Sequence, residues 1–259
     1  MSEIHSEQKR ARFFLKWGSI ALGWIVLYLL AFTFLIDKRP FVEWTLIKSD
    51  SQTHAAQAQL VKMPDGQVFL INAGKAAGSL LLYLKKQKIK DIDQLILSSF
   101  GPDSISALKD MLGSGIRIKE VKTNPLSLET ADWLAIKEIF LKKGISLQSL
   151  SLESFLFSQS QTQLKVMALA KDSLILRLIH GKNSLAAGLG DSSAIGGGIR
   201  SLGCSQLKTE VLVDYTQPQT QEPYLDWVGC LNPEHNLSLE PGTFKILLKG
   251  DSFKWKRGR

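Results

Sequence analysis

The stretch from Trp17 to Ile36 is twenty residues without a charged side chain, and nothing else in the chain limits its architecture as strongly. At a rise of about 1.5 Å per residue, a helix of that length reaches the roughly 30 Å of a bilayer's hydrocarbon core. Trp17, Trp24 and Tyr28 add interfacial character to a helix apolar on every face, which argues against a buried core helix. The competing reading is a secretory signal peptide, since Lys9, Arg10, Arg12 and Lys16 form a basic region ahead of it. A signal peptide's apolar core runs only about 7–15 residues, and its exit carries a small-x-small cleavage pattern. Here the exit is Phe34, Leu35, Ile36, Asp37, Lys38, Arg39. The expectation is a cytoplasmic basic tail over 1–16, a retained transmembrane helix over 17–36 and a soluble domain over 41–259.

Four Lys/Arg side chains precede the span, and Lys38 and Arg39 follow it. That bias orients the N-terminus inward and the soluble domain outward. In a bacterial inner (cytoplasmic) membrane this is the periplasmic side.

Residues 41–259 suffice for one domain with its own core and are short for two. The chain carries 32 Lys+Arg against 24 Asp+Glu, a net charge of +8. A mild basic excess serves solubility, or weak attraction to nucleic acid or anionic lipid. Its clusters are Lys85, Lys86, Lys88 and Lys90, and a tail of Lys254, Lys256, Arg257 and Arg259 around Trp255. Neither has the interleaved aromatics of a single-strand binding platform. Cys204 and Cys230 are too few for a disulfide scaffold and too far apart for a zinc knuckle or a CxxC motif. They read either as one disulfide in an oxidising compartment or as buried thiols.

Beyond the span, Phe41 to Lys48 alternates and is rich in aromatic and β-branched residues, which predicts a first strand. Ala58 to Met63, the turn Pro64-Asp65-Gly66, and Gln67 to Asn72 read as a hairpin, because Asp-Gly tolerates the positive φ of a tight connection. A helix over 78–88 follows, with a lysine-rich end that suits the negative end of a helix dipole. Next come a strand over 93–98, a loop over 99–102, a helix over 103–112, a strand over 118–123, a helix over 128–143 and a strand over 145–150. From Phe155 the text turns β-rich, with strands over 164–170, 173–180 and 184–189. Then follow a helix over 194–203, a strand over 210–214, a helix over 223–228 and a strand over 243–248. Two β-rich halves, each finished with helices, point to an α/β fold layered as an αββα sandwich.

With these elements on the page, the segment Ala58 to Leu112 resembles the metallo-β-lactamase-like domain of ComEC-type competence proteins, the DNA-uptake channels of bacteria. "QLVKMPDGQVFLINAG" is similar to that family's strand, proline-turn-glycine, strand and Asp-x-Gly sequence, with Asn72 at the aspartate. "LLLYLKKQKIKDIDQLILSS" resembles its "YLKKxGIKxIDxLILTH", and "SLILRLIHGKNSLAAGLGD" its "SLVLRLxYGxxxFLLTGD".

The resemblance implies where metal ligands belong. Two divalent ions that activate water need imidazoles and a carboxylate converging on one point, and the family supplies them as His-x-His-x-Asp-His after the third strand. In this chain that loop reads Ser99-Phe100-Gly101-Pro102-Asp103-Ser104. The implied positions Ser99, Gly101 and Ser104 hold no ligand, and Asp103 remains. The bridging aspartate falls on Asp191, and the third ligand region on Tyr215-Thr216-Gln217. None of the four histidines, His5, His54, His180 and His235, has ligand spacing to another. Asp103 also has a structural reason to persist, as the cap of the helix that follows it. Gly196-Gly197-Gly198 lacks the Lys-Ser/Thr of a phosphate loop. Ser192 and Ser193 have no neighbouring base. Asn236-Leu237-Ser238 fits the glycosylation sequon.

The apolar span and the resemblance together imply a membrane-anchored pseudoenzyme without a metal cofactor, a binding or assembly module beside DNA uptake. Its partners would be membrane lipid and DNA or another envelope or competence protein, with no small-molecule cofactor. The alternative is a hydrolase of nucleic acid or phosphoesters, with zinc or manganese held around Asp103 and Asp191.

Overall fold

The computed structural model describes residues 23–28, 41–47, 58–189, 211–214, 235–238, 244–249 and 252–257. Contacts divide the chain into two units, Met1–Pro40 and Phe41–Arg259. In the first, residues 23–28 are helical. The rest of the predicted span lies outside the described residues, among which no helix is long and apolar enough to cross a membrane. The predicted helices over 194–203 and 223–228 also lie outside them.

The second unit holds two sheets. Its strands are β1 (Val42–Ile47), β2 (Ala58–Lys62), β3 (Val68–Ile71), β4 (Asp91–Leu97), β5 (Arg117–Thr123), β6 (Ser146–Ser149), β7 (Phe155–Gln159), β8 (Thr162–Ala170), β9 (Ser173–His180), β10 (Asn183–Leu189), β11 (Val211–Asp214), β12 (His235–Ser238), β13 (Phe244–Lys249) and β14 (Ser252–Arg257). Helices are numbered from Phe41 onward: α1 (Ala77–Lys86), α2 (Pro102–Ile105), α3 (Leu108–Gly113) and α4 (Ala131–Lys142). The first sheet runs β14-β13-β1-β2-β3-β4-β5-β6 and the second β12-β11-β10-β9-β8-β7. From β3 to β6 the first sheet is parallel, and β10, β11 and β12 are parallel in the second.

Two apolar clusters explain the layering. Trp44, Val61, Phe69, Ile71 and Ile96 of the first sheet meet Leu164, Val166, Leu176, Leu178, Leu185 and Ala187 of the second. Leu60, Leu70, Leu95 and Val121, on the opposite side of the first sheet, meet Leu80, Leu84, Leu108, Met111, Trp133, Ile136 and Phe140 of the helices. The described residues thus form three layers of the predicted αββα order. Burying each such side chain contributes roughly 1.5–3 kcal/mol against chain entropy.

The predicted hairpin is present. Met63 N donates to Gln67 O (2.9 Å) and Gly66 N to Met63 O (3.0 Å), with Gly66 at φ 92°. β1 departs from the expected alternation, because all six of its residues are buried. Val42, Trp44 and Leu46 face the core between the sheets, and on the other face Glu43 pairs with Lys62 and Lys245 while Thr45 accepts from Tyr83 of α1, so polar contacts rather than solvent cover that side. Three strands were not predicted: β7, β12, and β14, which takes up part of the basic tail.

The single helix predicted over 103–112 is instead α2 and α3, and the cause is visible in the backbone. Ala73 N donates to Ser104 O (2.8 Å), and Ala107 N donates to Gly74 O (3.1 Å). The loop after β3 takes the carbonyl and the amide that a continuous helix would use internally. The predicted cap is also corrected. Gly101, not Asp103, is the N-cap of α2, and its carbonyl accepts from Ser104 N (3.0 Å) and Ile105 N (3.2 Å). Asp103 lies one position inside the helix because Pro102, which suits the first helical position, starts it a residue early.

Candidate functional site

The carboxyl ends of β3, β4 and β5 share one edge of the first sheet, and there the loop 98–104 is held from three sides. From β3, Asn72 sits in the left-handed region at φ 52°, which asparagine tolerates better than most residues. Its Oδ1 accepts from Ser98 N (3.0 Å) and its Nδ2 donates to Ser98 Oγ (2.9 Å). The residue at the family's aspartate position therefore ties the strand to the loop.

From β5, Asn124 is fully buried. Its Oδ1 accepts from Leu126 N (3.0 Å), an Asx turn ahead of α4. Its Nδ2 donates to Ser98 O (2.9 Å), Ala170 O (2.8 Å) and Ser173 O (3.1 Å). One side chain thereby fastens the first sheet to the β8–β9 turn of the second. Ser127 Oγ adds a bond to Ser98 O (3.2 Å).

From α4, Thr130 is the N-cap. Its Oγ1 accepts from Trp133 N (3.1 Å) and donates to Phe100 O (3.1 Å). The Phe100 ring stacks on Trp133 with centroids 4.2 Å apart and planes 9° from parallel. Just before the cap, a hydrogen bond from Lys137 holds the Glu129 carboxyl below its usual range.

These contacts shape a cleft of about 500 Å³ lined by Asn72, Ser99, Asp103, Ser104, Lys171 and Asp172. The predicted positions Ser99, Gly101, Asp103 and Ser104 are all brought to it. Ser99 Oγ lies 2.7 Å from Ser104 Oγ. Two implied metal-ligand positions are thus satisfied by each other.

Residues Asp191, Tyr215 and Thr216 lie outside the described residues, as do Ser192, Ser193, Gly196 to Gly198, Cys204 and Cys230. The strands leading to them are described. Leu189 pairs with Leu174, so β10 ends beside the β8–β9 turn that rims the cleft, and β11 is parallel to it. His180 is buried, with Nδ1 2.8 Å from Thr162 Oγ1, a satisfied core histidine remote from the cleft lining. Among the described residues no group of three or more His, Cys, Asp or Glu side chains converges. The described half of the site, serines and a glycine at three ligand positions, does not fit a two-metal centre, whose ions take imidazole and carboxylate donors.

Sequence reasoning missed Asn124, Thr130, Lys171 and Asp172. The Asn124-Pro125 dipeptide was a usable turn signal. The other three become site residues only through long-range packing.

A helix layer on a parallel-ended sheet, a second sheet behind it and a cleft at the shared strand edge define the metallo-β-lactamase fold. The first of the solved structures below supports that fold. The metallo-β-lactamase fold protein YhfI of Bacillus subtilis is similar over 75% of this chain and 84% of its own, at 12% identity and a TM-score of 0.51. A diphosphatase of the PhnP family is similar over 75% and 85%, at 15% identity and a TM-score of 0.46. Zinc-bound PqqB of Methylobacterium extorquens follows over 66% and 70%, at 10% identity and a TM-score of 0.45. No protein-family model and no curated sequence matches the chain.

Proposed function

We propose that this chain is a membrane-anchored, non-catalytic metallo-β-lactamase-fold domain that acts by binding. The observation that carries this reading is the Ser99–Ser104 hydroxyl pair at 2.7 Å. A hydrolytic centre needs those two positions to point donors at an ion, and here they point at each other. Among the described residues the two hydroxyls bond to each other and to no base, which argues against either as an activated nucleophile. What it does offer is a rigid polar surface of amide, hydroxyl, carboxylate and ammonium groups, suited to recognising a polar partner.

The uncharged stretch 17–36 supports a single-pass anchor with the domain on the outer side of the cytoplasmic membrane. The resemblance to ComEC-type proteins supports a place beside DNA uptake or envelope assembly, with DNA or another envelope protein as partner. Elemental analysis of the purified protein tests the central claim. Substoichiometric zinc and manganese is the expected result, and one or more ions per chain overturns the non-catalytic reading. For DNA as partner, affinity should fall steeply between about 50 and 200 mM salt, and affinity that does not would remove phosphate contacts from the proposal.

A further inference from the structure

The helix-facing side of the first sheet changes character along its width. From the end of β1 to β5 it is apolar and covered, with Ile47, Leu60, Leu70, Leu95 and Val121 packed beneath the helices. On β13, Ile246 and Leu248 turn to the core between the sheets, so Lys245, Leu247 and Lys249 occupy the other side. The register sets Lys256 opposite Lys245 and Lys254 opposite Leu247, which puts both β14 lysines on that side as well. Lys249, Lys254 and Lys256 are exposed.

Like charges directly across two strands destabilise a sheet, and Lys245–Lys256 is such a pair. Among the described residues the carboxylate that relieves this face is Glu43. Its Oε1 lies 2.9 Å from Lys245 Nζ and 3.6 Å from Lys62 Nζ, one acid shared by two ammonium groups. Burial works to lower the Lys245 pKa, and the hydrogen bond and charge of Glu43 overcome it, so the pKa is raised and the charge held. Glu43 answers Lys245 and Lys62, but among the described residues no carboxylate pairs with the exposed Lys249, Lys254 and Lys256, so the positive face they share is suited to an external anion.

Covalent reach identifies the anion's source. Val42 pairs with Leu248, which brings the start of β1 beside Lys249, whose Nζ lies 5.9 Å from the centre of the Phe41 ring. Four residues separate Ile36 from Phe41, and the five steps from one to the other span at most about 18 Å when extended. A chain anchored over 17–36 therefore cannot hold this end of β1 far from the headgroups.

We propose that the lysine face of β13 and β14 docks on anionic phospholipid headgroups, a reading that rests on the anchor proposed above. The test uses the full chain in lipid nanodiscs, neutral in one sample and with about 30% phosphatidylserine in the other. Lysine acetylation is followed site by site by mass spectrometry. The expected result is labelling of Lys249, Lys254 and Lys256 about threefold slower in the anionic discs, with Lys142 on α4 unchanged. The difference should vanish at about 0.5 M salt. Equal rates in the two discs overturn the proposal. Protection in neutral discs by a single-stranded oligonucleotide overturns it in favour of nucleic acid. The Lys254→Glu/Lys256→Glu variant, altered only at exposed edge-strand positions, should lose the protection at Lys249. A chain that does not enter discs defeats the anchor reading, whereas equal labelling in loaded discs defeats only the docking face.

Discussion

Ser99 Oγ and Ser104 Oγ are 2.7 Å apart across the mouth of the loop that follows β4. The pair closes that loop on itself, and Ser104 is almost completely buried. Removing one hydroxyl strands the other. Ser104→Ala should cost about 1 kcal/mol, Ser99→Ala a similar amount, and the double variant little more than either. Urea denaturation of the four proteins measures this, and additive losses would show that the hydroxyls are not coupled.

Asn124 has no comparable substitute, because its amide group joins carbonyls from a loop of one sheet to the β8–β9 turn of the other. Asn124→Ala leaves buried carbonyls and the Leu126 amide without this partner, a loss of about 3 kcal/mol at roughly 1 kcal/mol per bond. The urea midpoint should fall while the slope stays constant. A loss below about 1 kcal/mol would mean that the two sheets do not depend on this bridge.

Lys88 occupies the left-handed region at φ 56° just past α1. Ile89 N donates to Leu84 O (2.9 Å) and Lys88 N to Lys85 O (3.0 Å), a Schellman ending that favours glycine. The family sequence that this segment resembles has glycine at that place. Lys88→Gly should stabilise the protein by about 0.5–1 kcal/mol, read as a higher thermal midpoint. A lower midpoint would indicate that the lysine's charge outweighs its backbone strain.

Asp91 accepts from Arg117 Nε at 2.6 Å, and that hydrogen bond, helped by the surrounding positive charge, holds its carboxyl below the usual 3.8 against the opposing effect of desolvation. A depressed folded-state pKa favours the ionised, folded form. Its stabilisation is complete above the unfolded value and disappears as pH falls through the folded one. The melting temperature of Asp91→Asn should thus lie below that of the unsubstituted chain at pH 7 and converge on it below pH 3.8. Because the pair is exposed, the gap should be small and shrink with salt. A gap that widened in acid would reverse the sign and refute the assignment.

What the amino-acid order determined unaided is local. The short apolar runs of β4, β5, β8 and β9, the Asp65-Gly66 turn and the leucine spacing of α1 are all written within a few residues, since backbone sterics and side-chain pattern act at that range. The absence of histidine from Ser99 to Ser104 was equally plain, and it bears most directly on chemistry. Tertiary structure decided the rest. α2 and α3 are separate because Ala73 and Gly74, some thirty residues upstream, take their backbone bonds. β1 is buried on both faces because the second sheet covers Val42, Trp44 and Leu46, while Lys62, Lys245 and Tyr83 cover Glu43 and Thr45. The roles of Asn72 and Asn124 exist only once β3, β4, β5 and the β8–β9 turn share an edge. A hydrogen-bond partner remote in sequence leaves no local period to read, so these parts became visible only in the folded chain.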